Sequence, residues 1–466
     1  MPHSEPMALA PISLLNGWAP LAMQAIAAVV LVYAVGWRTR RWRLIWLPAA
    51  LAVGLIAAAL TYWYIQWSDL SSGRLAPYYF WIWVVLGGVA LAVLFLGWRD
   101  TNWWRRGASL LALPLCLLCV ALALNMWTGY VPTLQTAYDQ LAGKPVAGQT
   151  DAAGVKAIQD NGGIPDKGTV TTVTIPDAGS GFKHRDEVVY LPPAWYASNP
   201  PPKLPVVMMI GGVIGRPGDW LRAGDAQKTL DDFAAKHGGN APVVVFVDVL
   251  GAFLNDTECV NSQRGNAADH LTKDVVPYMI SKFGVSADPA NWGVAGFSMG
   301  GTCAVTLAMK YPELFSAFVD IGGDLFPRDG GGRDETIARL FNGDEQAFTS
   351  WEPASVIQAH GPYASTAGWF VVGEQVPNMY RPPDPNPGTV PSPDPPKSPS
   401  DHAGAAQYLC ELASDFGVEC AVVSDPGKHD WPSAASAFPI ALPWLAGRLG
   451  TPDVPAVPMP GAPGSS

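Results

Sequence analysis

Ser298 stands in the run Gly296-Phe297-Ser298-Met299-Gly300, with Gly301 behind it. A serine hydroxyl becomes a usable nucleophile only when a sharp turn lifts it clear of its neighbours. The flanks predict that turn. Asn291-Trp292-Gly293-Val294-Ala295 reads as a short buried strand, and Thr302 to Lys310, with Ala304, Leu307, Ala308 and Met309, reads as a helix packed on it. Strand, Gly-x-Ser-x-Gly and helix together make a nucleophile elbow, with the serine at a helix N-terminus. Backbone N–H groups at such a site can hold an oxyanion. Met299 is one expected donor. The second is expected in the paired-glycine turn Ile210-Gly211-Gly212-Val213, from Val213 with Gly212 as the neighbouring alternative.

A serine nucleophile needs a base, and the base needs a group to orient it. Three histidines lie beyond Ser298: His360, His402 and His429. His429 sits in Asp425-Pro426-Gly427-Lys428-His429-Asp430-Trp431, just after the last expected strand, and is the expected base. For the acid, Glu374 follows the strand Trp369-Phe370-Val371-Val372 at the same end of the sheet. Asp401, Asp425 and Asp430 compete with it. The last two are close enough to His429 in sequence to cap or brace its loop instead.

The elements that must carry these groups begin at Thr169. Val170–Ile175 and Asp186–Leu191 read as strands, followed by buried runs at Leu204–Ile210 and Val243–Val249 with helix-like stretches between. After the elbow come Ala317–Asp320, Trp369–Val372 and Cys420–Val423. Early antiparallel strands, then strands alternating with helices, predict a mostly parallel α/β sheet with helices on both faces. Pro377–Pro399 reads as an extended surface excursion, 131–168 as a tether, 169–450 as the catalytic domain, and 451–466 as a disordered Pro/Gly tail.

Residues 1–130 are different material. Four apolar runs, Trp18–Gly36, Leu44–Ile65, Tyr78–Gly97 and Gly107–Trp127, each approach the ~20 residues that span a bilayer. Trp and Tyr gather at their ends, as at a membrane interface. No Lys or Arg precedes the first run, so a basic signal-peptide head is not expected. Arg38, Arg40, Arg41 and Arg43 fill the first connection, and Arg99, Arg105 and Arg106 the third, against Arg74 and Asp69 in the second. The positive-inside rule then predicts four spans with both termini outside and the catalytic domain extracytoplasmic. The spans carry no acid or base at their centres, so they read as an anchor rather than a transport path. Beyond position 130 the chain holds 21 basic and 36 acidic residues, a net of −15, which argues against a nucleic-acid partner.

Cys116 and Cys119 lie one turn apart in the fourth run and read as packing residues. Cys259, Cys303, Cys410 and Cys420 lie outside it, and an even number in an oxidising compartment suggests disulfides, with three pairings open. Pairing 259 with 303 would brace the elbow, and 410 with 420 would close a helix onto the last strand. Neither a metal nor a cofactor is expected, since these cysteines show no CxxC and no histidine at ligand spacing.

Three runs carry a family resemblance: Val189-Tyr190-Leu191-Pro192-Pro193, Gly296-Phe297-Ser298-Met299-Gly300-Gly301 and Gly427-Lys428-His429-Asp430-Trp431. Together, from about Thr169 to Gly450, they resemble an esterase family of α/β-hydrolases. That family includes esterase D, enterochelin and feruloyl esterases, and the antigen 85 mycolyltransferases. Four spans ahead of such a domain are similar to membrane-anchored esterases of actinobacteria. The resemblance implies a serine esterase, or an acyltransferase using the same acyl-enzyme, acting on an ester that includes cell-envelope lipids or glycolipids among its candidates. Two departures are visible. Val376 stands where many relatives carry an aspartate, leaving Glu374 as the local carboxylate. Ile210-Gly211-Gly212-Val213-Ile214 stands where mycolyltransferases have Leu-Asp-Gly-Leu-Arg, so trehalose transfer is not implied. A catalytically silent envelope scaffold is the competing reading.

Overall fold

The computed structural model describes residues 12–35, 37, 39–68, 76–98, 102–146, 148–253, 255–384, 386 and 393–464. Arg38, Arg74 and Arg99, with Asp69 and part of the proline-rich excursion, lie outside the described residues. The chain forms two compact units, Met1–Lys144 and Pro145–Ser466.

In the first unit, α1 (Trp18–Ala34) is followed by a π-helical turn, Trp42–Trp46, that runs into α2 (Leu47–Ser68). Then come α3 (Tyr78–Leu96) and α4 (Trp103–Thr128). Three of these runs, Trp42–Trp67, Tyr78–Leu96 and Trp103–Thr128, are long and apolar enough to cross a membrane. Among the described residues three of the four expected spans thus reach that length, and α1 is a shorter apolar helix. α1 has only 17 residues, ended by Gly17 at φ 84° and by Val35 in an extended conformation. At 1.5 Å per residue it is roughly 26 Å long, short of the ~30 Å hydrocarbon core. α2 and α3 touch through glycines: a Cβ on Gly88 would stand 2.7 Å from Gly54 Cα. Such small-residue contacts let helices pack where the solvent is itself apolar. Cys116 and Cys119 are buried within this unit as free thiols.

Residues 131–168 are not a tether. Helix Leu134–Leu141 belongs to the first unit, while β1 (Gln149–Thr150) and helix Ala152–Asp160 belong to the second. Thr133 and Asp151 cap these helices, accepting the N–H of Thr136 and Gly154. Such caps supply the start signals that a Gly- and Ala-rich composition obscures.

The remaining strands of the second unit follow in chain order. They are β2 (Thr169–Val173), β3 (Glu187–Leu191), β4 (Val206–Ile210), β5 (Val243–Phe246), the small hairpin β6 (Asn261–Ser262) and β7 (Gly265–Asn266), and β8 (Trp292–Phe297). After these come β9 (Ala317–Ile321), β10 (Ala367–Val372), β11 (Met379–Arg381) and β12 (Glu419–Ser424). Ten of them form one sheet in the order β1-β2-β3-β5-β4-β8-β9-β10-β12-β11. From β5 to β12 all pairings are parallel. Strands β4, β5, β8, β9 and β10 are buried along their whole length. Their continuous apolar sequences, without alternation, are what burial on two faces requires. Helix Met299–Lys310 packs on β8 and β9 and against helix Pro353–His360, while helix Trp431–Arg448 packs on β9 and on helix Ala226–Lys236.

One peripheral expectation is refined and another corrected. The excursion after Pro377 opens with β11, which pairs antiparallel with β12 and closes that edge of the sheet. Residues 451–464 are packed, with Met459 buried, because the chain folds back over the last helix: Pro455 O lies where a Cβ on Gly447 would meet it at 2.4 Å.

Candidate active site

Because β4, β8, β9, β10 and β12 run parallel, their C-terminal ends share one edge of the sheet. That edge collects the turn after Ile210, Ser298, the turn after Ile321, Glu374 and the His429 loop. Ser298 has φ 58° and ψ −123°, a strained conformation for a residue with a side chain. Two contacts explain the flanking glycines. A Cβ on Gly296 would meet Gly300 O at 2.0 Å, and one on Gly300 would meet Ile210 O at 2.4 Å. The strain is held by backbone bonds: Ser298 N–H donates to Ile321 O at 2.9 Å, and Gly301 N–H donates to Ser298 O at 2.8 Å.

Ser298 Oγ lies 2.8 Å from His429 Nε2. The loop carrying His429 is stitched to the end of β10, with Asp425 N–H on Val372 O at 2.9 Å and Gly427 N–H on Gly373 O at 3.0 Å. The imidazole packs against Phe297, with ring centroids 4.9 Å apart, and over Gly322, where a Cβ would come within 3.1 Å of Nδ1. Glu374 follows Gly373 in the same turn; its backbone O accepts Ser424 Oγ–H at 2.8 Å and its Oε2 is buried.

The competing aspartates have other tasks. Asp430 caps helix Trp431–Arg448 through Ser433 N–H, Asp401 caps helix His402–Asp415 through Gly404 N–H, and Asp425 accepts Ser436 Oγ–H at 2.6 Å.

On the oxyanion side, Met299 opens the helix, so its N–H has no helical acceptor. Gly212 faces the serine: its Cβ would stand 3.5 Å from Ser298 Cβ. The turn bearing Gly212 and Val213 is held from behind by Arg185, whose Nη2–H donates to Gly215 O at 2.8 Å and pairs with Asp248 at 2.5 Å. Burial alone would raise the Asp248 carboxyl, but the Arg185 bonds and charge outweigh it and hold it below its ordinary value.

Sequence reasoning did not single out Arg185 and Asp248, which lie far apart in the chain. It also weighed His402 among the histidines after Ser298 without giving it a role. That ring packs against His429, tilted by 35° at a centroid distance of 4.4 Å, with Nε2 3.2 Å from Asp324 Oδ1. Asp324 in turn pairs with Arg328 at 2.8 Å.

Both disulfides form in this unit, Cys259–Cys303 and Cys410–Cys420. The first ties the helix behind Ser298 to the loop after β5. With a sequence separation of 44, its removal in a Cys259→Ser, Cys303→Ser variant is expected to cost up to about 4 kcal/mol of stability. Urea unfolding of oxidised wild type and variant checks this, and equal midpoints would contradict it.

Beneath the elbow, burial pushes the Asp320 carboxyl up to about 7, partly offset by its bond from Gly323 N–H. A carboxyl raised above its unfolded value of about 3.9 contributes stability at low pH that is lost as pH climbs through the folded value. Asp320→Asn removes that titration. The difference in urea midpoint between variant and wild type should shift in favour of the variant from about pH 4 to pH 7. Parallel curves would show that Asp320 is not responsible.

A strained serine on a strand-to-helix turn, bonded to a histidine from the loop after the last strand, defines an α/β-hydrolase of the serine-nucleophile class. Residues 183–375, within this second unit, match the family model described as "Putative esterase". The match includes Arg185, Ser298 and Glu374 and ends before His429. An uncharacterised protein of Corynebacterium glutamicum is 36% identical over 206 residues, 43% of this chain and 48% of that protein. The chain thus spans about half the length of that relative.

Among solved structures, a ferulic acid esterase is 17% identical, with a TM-score of 0.45, covering 60% of this chain and 98% of the other. An S-formylglutathione hydrolase from Agrobacterium tumefaciens is 16% identical, also at 0.45, covering 62% and 98%. Mycobacterium tuberculosis MPT51 is 17% identical at 0.38, covering 59% and 99%.

Proposed function

We propose that the chain is a membrane-anchored serine esterase that cleaves carboxylic esters through an acyl-enzyme. The single observation that carries this reading is the 2.8 Å contact between Ser298 Oγ and His429 Nε2 on a nucleophile elbow. Ser298 attacks the ester carbonyl while His429 takes its proton. Met299 and Val213 N–H groups, with Gly212 as the neighbouring alternative, face the developing oxyanion. His429 returns the proton to the leaving alcohol, and Glu374 steadies the imidazolium. Water then resolves the acyl-enzyme. A sugar hydroxyl of the cell envelope in its place makes the same site an acyltransferase.

Anchoring rests on the three long apolar helices. Orientation rests on Arg105 and Arg106 at the start of α4, which place that end in the cytoplasm and the unit after α4 outside. Two disulfides in that unit are consistent with an oxidising compartment.

One labelling experiment tests both parts. Spheroplasts expressing the full chain are treated with a membrane-impermeant fluorophosphonate probe, with Ser298→Ala as control. Labelling of the wild type alone is expected. Labelling only after detergent lysis would overturn the orientation. Absence of labelling in both conditions would favour the silent scaffold.

A further inference from the structure

Three strands along the sheet from the strand that leads to the serine, His184, Glu187 and His270 converge. Glu187 Oε1 lies 2.8 Å from His184 Nδ1 and 3.0 Å from His270 Nε2. The two imidazoles stack with centroids 4.0 Å apart. Glu187 and His270 are both 0% exposed. We infer that these three side chains form a binding site for one divalent first-row metal ion of the zinc type.

The donor geometry fits such an ion. Ligand atoms of a tetrahedral zinc, each about 2.0–2.2 Å from the metal, stand roughly 3.4 Å apart. Opening the two N···O contacts by a few tenths of an ångström makes that room. Glu187 Oε2 is buried and has no hydrogen-bond partner, so a carboxylate binding through both oxygens would use an atom otherwise stranded.

The surroundings fit as well. Asp274 Oδ2 stands 3.3 Å from His270 Nδ1 and is itself held by Ser180 Oγ–H at 2.5 Å, while Asp274 Oδ1 accepts Gly179 N–H at 2.7 Å. A carboxylate on Nδ1 fixes the tautomer that presents the Nε2 lone pair to a metal. Without a cation there, that lone pair would face the Glu187 carboxylate. His184 Nδ1 meets the same difficulty, with both Glu187 Oε1 and Arg185 O at 2.8 Å and one proton to share.

Charge points the same way. Glu187 and Asp274 are two buried carboxylates, and among the described residues their ion-pair partners are histidines rather than Lys or Arg. A dication with two neutral imidazoles brings the cluster to neutrality. His184 and Glu187 stand three residues apart, but His270 lies 83 residues beyond Glu187, so the chain shows no complete ligand spacing.

Such an ion would clip the loop before β3 to the helical turn His270–Val275, a junction also bridged by Asn266 Nδ2–H on Ser180 O at 3.0 Å. Arg185, between two of the ligands in sequence, braces Gly215 in the oxyanion turn. Metal occupancy is therefore coupled to the geometry of that turn, a consequence that rests on the esterase reading; the binding itself does not.

The test uses the full chain in detergent, stripped with a chelator and then given ZnCl₂ or CoCl₂. Metal analysis after desalting is expected to find one ion per chain, and Co²⁺ should show the visible d–d absorption of a nitrogen- and oxygen-ligated site. Zinc should raise the thermal midpoint of the wild type. His184→Ala and Glu187→Gln, checked for fold by circular dichroism, should each lower retained metal at least tenfold. Because the wild-type cobalt spectrum and zinc shift need no variant, misfolding of a buried substitution does not leave the question open. Wild type that retains no metal and shows no zinc shift overturns the site, as does retention undiminished in both variants. Fluorophosphonate labelling of the same sample separately reports whether the serine reading stands.

Discussion

His429→Ala is expected to lower ester turnover by on the order of 10⁶, to the floor set by Ser298→Ala. The two residues act as one unit: the hydroxyl is a poor nucleophile until the imidazole 2.8 Å away takes its proton. Removing either should therefore cost about as much as removing both, and the double variant should be no slower than the singles. Residual rate at the floor would come from the oxyanion donors and from binding, which neither substitution touches. The measurement is turnover of a p-nitrophenyl ester, with circular dichroism confirming each fold. His429→Ala within tenfold of wild type would assign the base elsewhere, with His402 the neighbouring alternative because its ring lies 4.4 Å from that of His429.

The second large effect concerns the acid. Glu374→Gln is expected to keep the fold and lose on the order of 10⁴ in turnover, or roughly 5 kcal/mol of barrier, because an amide cannot stabilise an imidazolium. Asp430→Asn and Asp425→Asn should act through the loop instead. Asp430 is a helix cap, a role worth about 1 kcal/mol of stability and little rate. Asp324→Asn belongs in the same series because Asp324 holds His402 against His429. If Glu374→Gln stays within a few-fold of wild type while one aspartate variant falls to the Ser298→Ala floor, that aspartate is the orienting acid.

Much of the catalytic unit was legible in the chain because its signals are local. An elbow needs a strand, two close glycines and a helix within a few residues, so Gly296 to Gly301 announce themselves. Eight strands were readable for the same reason, since burial on two faces makes runs such as Val206–Ile210 continuously apolar. Even the bracing roles of Asp425 and Asp430 followed from their nearness to His429. Composition likewise separated the apolar first unit from the acidic remainder.

What composition could not convey was where packing overrides it. The Gly- and Ala-rich stretch read as a tether supplies an edge strand, because backbone pairing with β2 depends on a partner and not on side chains. The Pro-rich end read as disordered buries Met459 against the folded unit. The first apolar run stops short as a helix because the backbone leaves helical geometry at Gly17 and Val35. The convergence of Arg185 with Asp248, His402 with His429, and His184 with Glu187 and His270 was decided by tertiary structure alone. Each joins residues from segments distant in the chain, and such segments reach one edge only after the sheet has assembled.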